Sequence, residues 1–246
     1  MIEPVTCILP AYQAAATLGA VAAGLRRAVP KVFLVAVDDG SSDGTRSVAT
    51  ATCDRVLTFA RNRGKGAALR AGVNDALRHG AAAVLTVDAD GQHDTNDAPT
   101  LLAALQDADV VIGVRQRCGS AMPLARRFTN RASALAMSAC AGATLPDPQS
   151  GYRAIRRSVL EQIVPVGERY EYECDLLLQA ARSGYRIVGV PVRTIYGPPS
   201  HFQSLDDTRL VVGAIWRHRH GAFRRRRLDS VMPARPADRL SPERGS

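Results

Sequence analysis

Short β-branched apolar runs alternate with amphipathic stretches through the first half of this chain, and that alternation constrains the fold more than any other feature. Val5–Leu9, Val32–Val37, Arg55–Phe59, Ala82–Val87 and Val110–Val114 read as strands, and Thr17–Ala28, Thr45–Ala51, Lys65–Arg78 and Leu101–Gln106 as the helices between them. Strands that are apolar along their whole length must be covered on both faces. The pattern therefore predicts an α/β fold: a mostly parallel, Rossmann-like sheet flanked by helices in a single domain. The second half is less regular. Ala125–Ala139, Glu173–Arg182 and Leu205–His218 read as helices, Asp147–Arg153 as a loop entering a short strand, and Arg186–Val192 as a strand.

In open α/β sheets, ligands bind beyond the carboxyl ends of the strands. That rule selects three segments, Pro10–Gln13, Asp38–Thr45 and Asp88–His93, all of them polar or turn-rich. Asp88-Ala89-Asp90-Gly91-Gln92-His93 directly follows a strand. Two carboxylates one residue apart repel unless protons or a cation neutralise them, and Mg²⁺ or Mn²⁺ with its preference for oxygen ligands would do so. A solvated acidic turn is the plainer alternative. In Val37-Asp38-Asp39-Gly40-Ser41-Ser42-Asp43-Gly44-Thr45, Asp43 or Thr45 can cap a helix. Capping leaves Asp38 and Asp39 unexplained, and a carboxylate accepting a base N–H suits nucleotide recognition. Arg61-Asn62-Arg63-Gly64-Lys65-Gly66 places two glycines around a lysine at a helix start, as in an anion-binding turn, without the P-loop spacing. In Glu171-Tyr172-Glu173-Cys174-Asp175, residues 171 and 175 share a helical face. Acids favoured by the helix dipole would account for the same cluster.

Charge and cysteines narrow the class. The formal net charge is +9, but Arg217 to Arg227 carries six arginines and no acid, so the rest of the chain is left with about +3. Such a segment can meet anionic lipid, nucleic acid or solvent. A nucleic-acid partner would leave the acidic strand ends without a purpose and is not expected. The five cysteines, Cys7, Cys53, Cys118, Cys140 and Cys174, include no C-x-x-C pair, as in a reducing cytoplasm. Met1-Ile2-Glu3-Pro4 lacks the look of a signal peptide, and no apolar run approaches the roughly 20 residues of a membrane span. A cytoplasmic protein, peripheral at most to the membrane, is expected.

Taken together, Leu9-Pro10-Ala11-Tyr12, Val37-Asp38-Asp39-Gly40-Ser41, Asn62-Arg63-Gly64-Lys65-Gly66, Asp88-Ala89-Asp90-Gly91-Gln92-His93, Asp147-Pro148-Gln149-Ser150-Gly151-Tyr152 and Tyr196-Gly197 with Ser200-His201-Phe202 resemble glycosyltransferase family 2. The likeness is to its GT-A fold and its dolichol-phosphate-mannose-synthase-like branch. It implies a GT-A domain over residues 1–216; the remainder, 217–246, is basic and, being rich in Pro, Arg, Ser and Asp from Asp229 on with little to bury, is expected to be disordered. The resemblance implies an inverting, metal-dependent enzyme that moves a sugar from a nucleotide-sugar donor to a lipid-phosphate acceptor.

Residue by residue, the resemblance assigns Pro10, Tyr12, Asp39, Lys65, Asp88 and Arg115 to the nucleotide sugar. It assigns Asp88, Asp90 and Gln92 to Mg²⁺ or Mn²⁺, and Arg126, Asn130, Asp147, Ser150 and His201 to the acceptor and its phosphate. Asp175, with Glu173 next, maps onto the family's acid near the acceptor. Two departures stand out. The family's Pro-x-Tyr-Asn-Glu is here Pro10-Ala11-Tyr12-Gln13-Ala14, and the Gln-x-x-Arg-Trp of polymer synthases is missing. Transfer to a pigment, a non-phosphate lipid or a soluble hydroxyl is the alternative within enzymes. A non-catalytic nucleotide-sugar-binding module is the alternative outside them.

Overall fold

The computed structural model describes residues 2–116, 134–169 and 171–195. In chain order the elements are β1 (Val5–Ala11), α1 (Leu18–Ala28), β2 (Phe33–Asp38), α2 (Thr45–Thr52), β3 (Arg55–Thr58), α3 (Lys65–Arg78) and β4 (Ala83–Thr86). A 3₁₀ turn (Thr95–Asp97) leads into α4 (Ala98–Ala104), followed by β5 (Val110–Arg115). Next come α5, described over 134–141, then β6 (Arg153–Arg156), α6 (Arg157–Gln162), α7 (Glu171–Arg182) and β7 (Ile187–Val192). The predicted helix Ala125–Ala139 falls partly in α5, and its earlier residues lie outside the described ones. So do the helix Leu205–His218 and the tail.

Seven strands form one sheet in the order β3-β2-β1-β4-β6-β5-β7. Pairings β1–β2, β2–β3, β1–β4 and β5–β7 are parallel. β6 runs antiparallel to both β4 and β5, a direction the sequence does not disclose. Alternate residues of each strand feed opposite faces. Cys7, Leu9, Leu34 and Ala36 join Leu18, Leu25, Leu101 and Leu102 of α1 and α4 in one buried cluster. Ile8, Val35 and Val37 join Leu69 and Val73 of α3 and Leu176 and Leu177 of α7 in the other. Truncating any one of these leucines to alanine would cost about 2–5 kcal/mol.

The topology fixes where a ligand can sit. From β1 the chain goes outward to β2 and β3, then α3 returns it to β4 on the other side of β1. That reversal opens a crevice at the carboxyl ends of β1 and β4. Because β6 is antiparallel, its first residue, Arg153, pairs with Thr86 at the carboxyl end of β4 and with Ile112 of β5. The loop Asp147–Tyr152 therefore enters the sheet at the same edge as the three strand-end loops.

Candidate donor and metal site

The first two strand-end loops are stitched together by the small polar residues of the second. Gln13 N–H donates to Ser41 Oγ at 3.0 Å, Ala14 N–H to Thr45 Oγ1 at 2.8 Å and Ala15 N–H to Asp43 Oδ2 at 3.1 Å. Ser41, Asp43 and Thr45 thus shape the crevice wall. Pro10 is half-buried there, and Tyr12 stands 42% exposed, with its ring available to a flat ligand.

Asp39 is buried and spans the gap to the third motif. Its Oδ1 accepts from Arg63 N–H at 2.7 Å and its Oδ2 from Gly64 N–H at 2.8 Å. In the segment expected to form an anion-binding turn, the Arg63 and Gly64 amides are thus taken by the Asp39 carboxyl. Gly64 has φ +98°, and a Cβ there would lie 2.5 Å from Glu168 O, so no other residue fits the turn. Burial, the largest influence, raises the Asp39 pKa. The Arg63 and Gly64 amides pull it down, and the charge of Asp38 pushes it up again.

α3 begins at Lys65, whose ammonium lies 2.6 Å from Asp88 Oδ1 and 3.1 Å from Glu173 Oε2. Arg153 Nη1 stands 3.5 Å from the other oxygen of Glu173. Acid and base therefore alternate along a line from Arg153 through Glu173 and Lys65 to Asp88. Gly151 presses against this line, and Thr86 Oγ1 donates to its carbonyl at 2.8 Å. Burial works to raise the Asp88 pKa. Lys65 and then His93 and Arg153 outweigh it, and the carboxyl is held below its ordinary value. Asp90 goes the other way: protein crowding and next the charge of Asp88 raise it, against the Gln92 N–H bond at 3.0 Å. His93 is buried with its ring 5.1 Å from Tyr152, and its Nδ1 has no hydrogen-bond partner among the described residues. Burial lowers its pKa and favours the neutral ring.

Asp88 and Asp90 suit a hard divalent cation. A carboxyl whose pKa is raised by a neighbouring carboxylate gains when a cation arrives, and the side chains at hand offer oxygen. Among the described residues no three His, Cys, Asp or Glu side chains converge as a closed metal cage. Asp88, Asp90 and the Gln92 amide are the oxygen-bearing side chains that could hold such an ion at this strand end.

The acceptor-side residues are placed unevenly. Arg115 Nε and Nη2 each donate to Asp147 at 2.8 Å, so two residues expected to face different substrates hold each other. Ser150 is fully buried, and its N–H closes the turn onto Asp147 O at 3.0 Å. Of the α7 acids, the structure brings Glu173 and not Asp175 to Lys65. The Asp175 side chain is turned to the preceding loop, where Oδ2 accepts from Val166 N–H at 2.6 Å and from Gln179 Nε2 at 2.8 Å. Arg126, Asn130 and His201 lie outside the described residues. The sequence reading missed Arg153. Its signal was a charged residue directly before the apolar pair Ala154-Ile155 of a short strand, where a buried cation needs a partner.

The fold and this site define an α/β architecture with an acidic pair at the carboxyl end of a central strand. The family model "Glycosyl transferase family 2" matches residues 6–164. The chain belongs to glycosyl transferase family 2 and, within it, to the dolichol-phosphate-mannose-synthase-like branch. It is 34% identical over 199 residues to undecaprenyl-phosphate mannosyltransferase of Micrococcus luteus, covering 76% of this chain and 82% of that one. It is 33% identical over 198 residues to polyprenol monophosphomannose synthase of Mycolicibacterium smegmatis, covering 75% of each. Glucosyl-3-phosphoglycerate synthase from Mycobacterium tuberculosis, solved with Mn²⁺, uridine diphosphate and phosphoglyceric acid, shares the fold. Its TM-score is 0.72 at 22% identity, over 90% of this chain and 80% of that chain. No helix among the described residues is long and apolar enough to cross a membrane.

Proposed function

We propose that this glycosyltransferase moves a sugar, with inversion, from a nucleoside-diphosphate sugar to a polyprenyl-phosphate lipid, using Mg²⁺ or Mn²⁺. The observation that carries the donor half is the Lys65–Asp88 contact beside Asp90, at the carboxyl end of β4 and facing the β1 loop across the crevice. The lipid-phosphate half is supported by the undecaprenyl-phosphate and polyprenol specificities in the names of the relatives.

Tyr12 and Pro10 receive the base, and Asp39 holds the turn that opens α3. Lys65 offers a positive charge where the diphosphate departs, and the Arg115–Asp147 pair shapes the wall near the sugar. Asp88, Asp90 and Gln92 would hold the divalent ion, which when bound supplies Lewis-acid stabilisation of the leaving diphosphate. A phosphate oxygen of the acceptor attacks the anomeric carbon, the new C–O bond forms as the bond to the diphosphate breaks, and the nucleoside diphosphate leaves. A phosphate monoester is largely ionised near pH 7, so no proton must be removed. Consistent with this, both oxygens of Glu173 already face cations.

The test is a panel of nucleotide sugars incubated with Mn²⁺ and a short-chain polyprenyl phosphate, with the matching polyprenol and soluble alcohols in parallel. Chelator-sensitive product on the phosphate alone supports the reading. Product only on alcohols assigns the enzyme to the hydroxyl-acceptor alternative, and product that persists in excess chelator removes the metal.

A further inference from the structure

We infer that Arg153 is a positioning residue, acting through Glu173 to hold the Lys65 ammonium at Asp88. The inference rests on the donor-site reading above, because Lys65 matters as the charge that meets the diphosphate.

Arg153 is 3% exposed at its side chain and clamps two segments at once. Its Nη2 donates to Pro148 O at 2.8 Å in the loop before β6, and its Nη1 to Glu173 O at 3.3 Å in the first turns of α7. The same Nη1 stands 3.5 Å from Glu173 Oε1, while Glu173 Oε2 holds Lys65. Arg153 Nε has no partner among the described residues and borders a small internal cavity lined also by Thr86, Tyr172 and Glu173. Beyond these backbone bonds, the carboxylate within ion-pair distance of this buried guanidinium among the described residues is Glu173.

The consequence follows from charge. With Arg153 present, Glu173 is shared between two cations and competes only weakly for Lys65, whose shorter contact is to Asp88. Without Arg153, Glu173 is a buried anion whose remaining cation in this line is Lys65. A flexible lysine stem lets the ammonium swing toward it and away from Asp88. A bulk structural role for Arg153 predicts no such movement.

The chain offers an unusually clean readout, because Lys31 and Lys65 are its only lysines. Lys31 is 81% exposed at its side chain and serves as an internal control. In protein labelled with ¹³C and ¹⁵N at lysine, the Lys65 side-chain signals are expected to shift in Arg153→Met and to return toward their wild-type positions in Arg153→Met/Glu173→Gln, where the competing anion is gone, while Lys31 stays in place. Affinity for Mn²⁺ with UDP or GDP, whichever the wild type binds, is expected to fall about tenfold in Arg153→Met. In a Lys65→Met background the same substitution is expected to cost nothing further. Lys65 signals unmoved in a folded Arg153→Met protein would overturn the inference, as would losses that multiply in the Lys65→Met background. If Arg153→Met does not fold, Arg153→Gln, which keeps a hydrogen-bond donor but removes the charge, carries the same lysine test. A wild type that binds neither nucleotide sinks the donor reading, and the lysine signals still decide the Arg153 link.

Discussion

Gly151 lies against Asp88 so closely that a Cβ built on it would fall 2.4 Å from Asp88 Oδ2 and 2.7 Å from Lys65 Nζ. Two motifs more than sixty residues apart in sequence are thereby locked into one site. Gly151→Ala must push Asp88 or Lys65 out of position. Overpacking of this kind costs about 1–3 kcal/mol, and side-chain movement can relieve part of it. We expect a modest fall in melting temperature and loss of most Mn²⁺–nucleotide affinity. Calorimetry and a thermal melt on the same sample measure both, and unchanged affinity would mean that the Asp88–Lys65 geometry is not needed for binding.

Asp90 should trade stability against function. The folded protein holds this carboxyl above its ordinary value, so the native state binds its proton more tightly than the unfolded chain does. Its contribution to stability is therefore present at low pH and is lost as pH rises through the raised folded value. Asp90→Asn is expected to melt no lower than wild type at pH 7 without metal, with the advantage vanishing toward pH 3. Transfer should fall below detection. A variant that melts lower at pH 7 would show that Asp90 braces the fold.

For Asp39 the order of effects is reversed. Asp39→Ala leaves the Arg63 and Gly64 amides without their acceptor, at about 1–3 kcal/mol for the buried Gly64 amide and less for the more exposed Arg63 amide. Urea denaturation should report that loss, and nucleotide affinity should drop with it, because the turn opening α3 relaxes. A drop in affinity at unchanged stability would point instead to direct contact between Asp39 and the base.

Asp175→Asn separates the two acceptor chemistries. Asp175 receives the Val166 amide and Gln179, so the variant should lose about 1 kcal/mol of stability and little rate. A loss of about 10²–10⁴ in turnover at an unchanged melt is the scale of a missing general base. It would favour a hydroxyl acceptor.

Most of the sheet was legible because its signal is local. Lys65–Arg78 coincides with α3, and each predicted strand of the first half lies within a residue or two of an observed one. The direction of β6 was not legible, because antiparallel insertion between β4 and β5 is a tertiary choice that four residues cannot encode. α6, six residues long, was missed for want of periodicity. At the site, composition located Asp88 and Lys65, but only the fold shows them in contact. Nor could helix spacing rank Glu173 against Asp175. Positions two apart face different ways, and which one looks inward depends on how α7 is rotated against β6.

The last expectation concerns the basic segment Arg217–Arg227, which lies beyond the described residues. The proposed lipid-phosphate acceptor would confine the reaction to a membrane surface, where a basic segment could supply the contact. Arg224 to Arg227 supply four positive charges in succession. Each arginine near an anionic surface contributes on the order of 1 kcal/mol, and salt screens the attraction within about 10 Å at 0.1 M. Full-length protein is therefore expected to float with phosphatidylglycerol-containing vesicles at low salt and to release as salt rises. Truncation after Gly221 should weaken flotation while hydrolysis of the soluble donor continues at the wild-type rate, since every described residue of the Lys65–Asp88 site precedes the cut. Equal flotation of the two proteins, or none by either, would rule the arginines out as the anchor. Reduced donor hydrolysis in the truncated protein would instead place this segment at the active site.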